Sequence, residues 1–199
     1  MSPAAPPAQA VGQKAFGPSA LATPANAMTM ARLVASPVLA VLIAVVGPSS
    51  WLLAVLWLVL AGSDGLDGHV ARRQGSTRSG AFLDPLADKL LVLGALAALA
   101  STGVVSWLPA ALVFAREAGM TWFRVRAGRR GVSVPARPLA KVKTLVQDVA
   151  VGLALLPAVG VQHKGTIADV LWFAVALTLY TGLEYLLDAR RMLRVAGGA

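Results

Sequence analysis

Apolar runs of about bilayer length alternate along the chain with short polar breaks, and this pattern predicts six helices. The first run covers residues 28–46 and is closed by Gly47 and Pro48. The others cover about 51–71, 80–100, 107–123, 139–159 and 167–187. Each approaches the ~20 residues that a helix needs to cross a hydrocarbon core. The breaks fall at 73–79, 101–106 and 124–137, and around His163 and Lys164. Residues 1–23 are rich in Ala and Pro, carry Lys14 as their single charge, and show no helical or strand period. They read as a disordered tail, and they lack the apolar core of a signal peptide. The expected organisation is a disordered tail over 1–24, a six-helix domain over 25–190 and a basic C-terminal tail over 191–199. No internal repeat is evident.

Composition supports the same class. Of the 199 residues, 57% are hydrophobic and 14% charged, against about 25% charged in an ordinary soluble domain. The expected fold is therefore an all-α integral membrane protein with six transmembrane helices. Charge then sets its orientation, because short cytoplasmic loops retain Lys and Arg. With both termini inside, the 73–79 and 124–137 loops are inside too, and only Lys164 of the 18 basic residues lies outside. The expected location is the cell membrane. The net charge of +9 fits anionic lipid and phosphorylated substrates. Nucleic acid is not expected as a partner, since no polar groove with aromatic platforms is evident.

Four carboxylates break the apolar pattern within residues 64–88, DGLDGHVARRQGSTRSGAFLDPLAD. Asp64 and Asp67 are one helical turn apart, and so are Asp84 and Asp88, so each pair shares a face. Ionised carboxylates beside hydrocarbon are costly unless something positive sits among them. The chain has no cysteine, so a metal here must be held by oxygen or by the two histidines. Carboxylates with water and substrate phosphate suit Mg²⁺ or Mn²⁺, and two antiparallel helices carrying such pairs offer ligands for one or two ions. Two ions could clamp a diphosphate and neutralise its leaving phosphate. Gly68, Ala71 and Gly80 keep the walls low for a bulky group, although small residues also serve close helix packing. Arg72 could hold a phosphate oxygen or act as a topological anchor.

Other polar residues lie further from this stretch. Asn26, Thr29 and Arg32 share one face at the start of the first helix. They fit either substrate binding or a helix cap with an interfacial Arg. Arg116 and Glu117 lie midway along the fourth span, where an Arg is functional unless it only pairs internally. Lys141 and Lys143 open the fifth span, and with Arg116 they could form a cationic pocket for a phosphorylated second substrate; lipid headgroup contact is the alternative.

The order Asp64, Asp67, Gly68, Ala71, Arg72, Gly80, Asp84, Asp88 resembles the signature of the CDP-alcohol phosphotransferase family, DxxDGxxAR followed by GxxxDxxxD. The resemblance extends over about 26–187. NxxTxxR before the first span, LDPLADK at 83–89, the RE pair of the fourth span, KVKT at 141–144 and EYL at 184–186 are similar to the branch acting on glycerol 3-phosphate. The spacer between Arg72 and Gly80 is seven residues where the family commonly has eight or nine, and Ala140 stands where this branch often has Gly.

The resemblance implies that Asp64, Asp67 and Asp84 bind metal, with Asp88 near the metals and acting as the base on the acceptor hydroxyl. It implies a nucleotide site lined by Gly68, Ala71, Arg72 and Gly80, to which Asn26 and Thr29 are candidate additions. The implied reaction moves the phosphatidyl group of CDP-diacylglycerol to glycerol 3-phosphate and releases CMP; the candidate cationic pocket of Arg116, Lys141 and Lys143 would then take the acceptor phosphate. A homodimer is also implied. The same chemistry on inositol phosphate or phosphatidylglycerol is the nearest alternative. An ion transporter is the alternative of another class, but transporter sites favour the bilayer midplane and paired repeats.

Overall fold

A computed structural model of the chain describes residues 24–74, 78–129, 138–160 and 162–197, with side chains described over 27–63, 83–126, 142–160, 162–184 and at 187. The disordered tail expected over 1–23 lies outside the described residues.

Six helices and no strand occur among the described residues: α1 Pro24–Val46, α2 Trp51–Gln74, α3 Arg78–Ser101, α4 Trp107–Arg129, α5 Pro138–Leu155 and α6 Lys164–Gly197. The element order is the expected one, and several boundaries move. α2 continues to Gln74 and α3 starts at Arg78, so the break expected at 73–79 narrows to 75–77. α4 extends to Arg129, through part of the basic segment, and α6 continues to Gly197, so the basic residues expected in a tail lie on its last turns.

Local chemistry sets the ends. Gly47 takes a left-handed φ of 94° and donates to the Ile43 carbonyl at 3.1 Å, closing α1 as Gly does after a helix; Pro48 prevents continuation. After α3, Gly103 is also left-handed at φ 73°, and Val104 N–H returns to the Leu99 carbonyl at 3.2 Å. Lys164 at the start of α6 donates to the Gly103 carbonyl at 3.2 Å, which ties this turn to the start of the last helix.

The core is built from Leu39, Ile43, Leu53, Trp57, Leu96, Leu99, Leu155, Ile167 and Leu171, all essentially inaccessible. The Trp57 indole N–H donates to the Asp148 carbonyl at 3.2 Å, so this large ring is buried with its polar atom satisfied. The outer faces are apolar as well, with Val34, Val41, Val45, Leu52, Leu58, Phe114 and Phe173 all exposed. Two segments, Ala27–Val46 and Lys164–Glu184, are long and apolar enough to cross a membrane, with mean hydropathies of 2.1 and 1.6. The apolar part of α2 is shorter and stops at Ser63, where the acidic stretch begins.

α1 packs most extensively on α3 and also against α2, while α2 and α3 make only sparse direct contact among the described residues. Among the described residues α1 therefore bridges α2 and α3. Small residues let α1 and α3 approach: a Cβ added to Gly94 would stand 3.5 Å from the Ala40 Cβ. α5 packs on α6, and α4 closes the bundle against α3 and α6.

Candidate functional site

The acidic stretch occupies the end of α2 and the start of α3. Asp64, Asp67, Gly68, Ala71 and Arg72 are on the last turns of α2, and Gly80 is in the first turn of α3. Their side chains lie outside the described residues, as do those of Asn26 in the first turn of α1 and Lys141 in the first turn of α5.

Asp84 and Asp88 are described, half-buried and one turn apart on α3. Both meet α1. Thr29, itself 1% exposed, donates to Asp84 Oδ1 at 2.6 Å. Arg32 donates from Nη1 to Asp88 Oδ1 at 2.7 Å, and from Nε and Nη2 to Ser63 Oγ at 3.2 and 3.0 Å. Ser63 directly precedes Asp64, and its own hydroxyl donates to the Leu60 carbonyl at 2.8 Å. One buried guanidinium thus joins the residue before the first acidic pair to the last residue of the second. Thr29 and Arg32 are three residues apart on α1 and Asp84 and Asp88 four apart on α3, each about one helical turn, so the two contacts form side by side.

The donor chemistry suits a hard divalent cation. Asp84 and Asp88 present carboxylate oxygens at an accessible edge, and no thiolate exists in the chain. Among the described residues no three acidic or imidazole side chains converge. Asp64 and Asp67, needed to complete a four-carboxylate set, lie outside that description.

A second polar cluster lies between α3, α4, α5 and α6. Arg116 on α4 donates from Nε to the Thr178 carbonyl at 3.1 Å, from Nη2 to Thr181 Oγ1 at 3.0 Å and from Nη1 to Glu117 Oε1 at 2.7 Å. Lys143 on α5 also donates to Glu117 Oε1. Lys89 on α3 places its ammonium 3.9 Å from Glu117 Oε2 and donates to Thr121 Oγ1. Gln147 extends the network to Thr178 Oγ1 at 3.0 Å. The structure therefore brings Arg116 and Lys143 together on one carboxylate. Lys89, Gln147, Thr178 and Thr181 are members that sequence reasoning missed. The available signal for Lys89 was an ammonium in an apolar helix with no acidic residue three or four positions away on either side.

An apolar cavity of about 420 Å³ opens between α2 and α5, lined by residues including Trp57, Leu58, Gly62, Val149, Gly152 and Leu153. Its Gly62 end is two residues from Asp64.

Comparison with known proteins decides the family. The family model for CDP-alcohol phosphatidyltransferase matches residues 22–182, spanning the acidic stretch and the cationic cluster. The chain belongs to the CDP-alcohol phosphatidyltransferase family. It is an enzyme of that class. A Mycobacterium tuberculosis protein named "Probable phosphatidylglycerophosphate synthase" is 40% identical over 187 residues, covering 92% of this chain and 87% of its own. Proteins named "CDP-diacylglycerol--glycerol-3-phosphate 3-phosphatidyltransferase" are 35% identical in Rickettsia bellii over 165 residues (80% of this chain, 91% of that one) and 37% identical in Salmonella choleraesuis over 174 residues (82% and 92%). The CDP-alcohol phosphatidyltransferase match gives the two polar regions a common context: the acidic signature on α2 and α3, and a separate group of cations behind it.

Proposed function

We propose that this phosphatidyltransferase moves the phosphatidyl group of CDP-diacylglycerol to glycerol 3-phosphate, giving phosphatidylglycerophosphate and CMP. The observation that carries the reading is the cluster of Lys89, Arg116 and Lys143 around a single described carboxylate, Glu117, beside the acidic signature. Its surplus positive charge suits an acceptor with a phosphate of its own; phosphatidylglycerol or another acceptor without a phosphomonoester makes less use of it. The names of the relatives support the same acceptor.

In this reading all six helices cross the cell membrane, both termini are cytoplasmic, and residues 25–190 form one domain that works as a homodimer. The acidic stretch then faces the cytoplasm, where glycerol 3-phosphate is available. Gly68, Ala71, Arg72 and Gly80 line the nucleotide site, with Asn26 and Thr29 at its α1 edge. Asp64, Asp67, Asp84 and Asp88 hold one or two Mg²⁺ or Mn²⁺ ions, which supply charge neutralisation to the leaving CMP and acidity to the acceptor hydroxyl. Asp88 takes the proton from that hydroxyl as its oxygen attacks the phosphorus attached to diacylglycerol. A carboxylate is a weak base in water, so position matters most, and Arg32 holds Asp88 in place from the side of α1. Arg116, Lys141 and Lys143 supply the positive field for the acceptor phosphate. The apolar cavity between α2 and α5 suits one acyl chain of the donor.

The test is CMP release by the purified protein with CDP-diacylglycerol and Mg²⁺ or Mn²⁺, offering glycerol 3-phosphate, inositol phosphate and phosphatidylglycerol in turn. Release with glycerol 3-phosphate is expected; release with inositol phosphate alone reassigns the acceptor.

A further inference from the structure

Lys89 lies where the acidic signature and the cationic cluster meet. It directly follows Asp88 on α3, and successive helical residues point about 100° apart. Asp84 and Asp88 turn to Thr29 and Arg32 of α1, while Lys89 turns to Thr121 and Glu117 of α4. Among the described residues it is the side chain of α3 that joins the cluster.

The three cations are not equally placed to meet a ligand. The Arg116 side chain is 9% exposed, and its Nε, Nη1 and Nη2 all donate within the protein. The Lys143 side chain is 6% exposed and bonded to Glu117. Lys89 is 29% exposed. Among the described residues its ammonium has one hydrogen-bond partner, Thr121, because Glu117 Oε2 at 3.9 Å is beyond hydrogen-bond reach. An ammonium carries three donors, so it retains capacity for an anion at the open edge of the cluster. Glu117 is already engaged by Arg116 and Lys143, which leaves Lys89 the least neutralised of the three.

We infer that Lys89 is the residue that contacts the phosphate of the acceptor, and that Arg116 and Lys143 are positioning residues which hold Glu117 and build the positive field behind it. An acceptor with a hydroxyl at one end and a phosphate dianion at the other then bridges consecutive residues of α3, with its hydroxyl at Asp88 and its phosphate at Lys89. Lys89 becomes a specificity-determining residue. The inference rests on the proposed reading of the acceptor as a phosphorylated alcohol.

Steady-state CMP release by the full chain, with CDP-diacylglycerol and Mg²⁺, tests it in the wild type, Lys89→Met and Lys89→Arg. Lys89→Met is expected to raise the KM for glycerol 3-phosphate about 10- to 100-fold, the range of a charge-assisted hydrogen bond. The KM for CDP-diacylglycerol should stay within about twofold, and inhibition by inorganic phosphate should weaken in parallel; Lys89→Arg should recover much of the loss. An unchanged KM for glycerol 3-phosphate, or a fall in kcat alone, overturns the role of Lys89 while leaving the acceptor reading intact. Wild-type turnover only with an acceptor lacking phosphate overturns both. A second measurement needs no variant: amine acetylation of the wild type, mapped by mass spectrometry. Glycerol 3-phosphate should protect Lys89 and glycerol should not. Equal labelling with and without glycerol 3-phosphate contradicts the inference.

Discussion

Arg32 on α1 and Asp88 on α3 form a 2.7 Å ion pair in which the guanidinium is 1% exposed and the carboxylate 36% exposed. The same guanidinium holds Ser63, the residue before Asp64. α1 thereby links the two halves of the signature, whose helices make only sparse direct contact among the described residues.

Replacing Arg32 with Ala removes its hydrogen bonds to Ser63 and its ion pair with Asp88. Because Asp88 is over a third exposed, solvent screens part of that loss, and the expected cost is about 1–3 kcal/mol. CMP release should fall at least about 100-fold, because misplacing catalytic groups by an ångström has that effect. Lys at this position cannot reach Ser63 and Asp88 together and should restore less than a tenth of the activity. Thermal unfolding in detergent and CMP release measure the two effects.

Asp88→Asn keeps the shape and would remove the proposed base. Turnover should drop about 10²–10⁴-fold, the usual contribution of a positioned base, while CDP binding, read by calorimetry, stays within a few-fold. Normal turnover in this variant assigns the proton transfer to another group.

The organisation of the chain was legible because helix-length apolar runs and one-turn acidic spacings are local properties. What joins those elements was less so. Asn26, Thr29 and Arg32 read equally well as a cap with an anchoring Arg or as substrate contacts, because nothing local indicates that Thr29 and Arg32 meet Asp84 and Asp88, more than fifty residues away. Packing of α1 between α2 and α3 was likewise hidden, since it depends on small residues such as Ala40 and Gly94 meeting across the interface. Lys89 read as part of LDPLADK, and its partner Thr121 is an unremarkable hydroxyl in an apolar helix.

Glu117→Gln should be strongly destabilising. The Glu117 carboxylate, 11% exposed, faces Lys89, Arg116 and Lys143, and its loss leaves buried positive charge uncompensated. Breaking one side of such a pair costs about 3–5 kcal/mol. The expected result is a lowered thermal midpoint that moderate concentrations of inorganic phosphate partly restore.

Gly182 on α6 separates tolerance from disruption. A Cβ there meets Arg116 Nε at 3.5 Å and Cγ at 3.6 Å, which is ordinary contact. Gly182→Ala should therefore be neutral or stabilising by about 0.5–1 kcal/mol through helix propensity. Gly182→Leu should push Arg116 away from Thr178 and Thr181 and raise the KM for glycerol 3-phosphate more than that for CDP-diacylglycerol. Kinetics on the two variants, each varied against both substrates, check the contrast.

The most direct measurement follows the acceptor itself. Purified protein is incubated with CDP-diacylglycerol, radiolabelled glycerol 3-phosphate and Mg²⁺ or Mn²⁺, and the label in extracted lipid is compared with the CMP released. The account predicts labelled phosphatidylglycerophosphate in equimolar amount to CMP, with both lost when the divalent cation is chelated. CMP release without label in lipid, or labelling that does not require CDP-diacylglycerol, would contradict it.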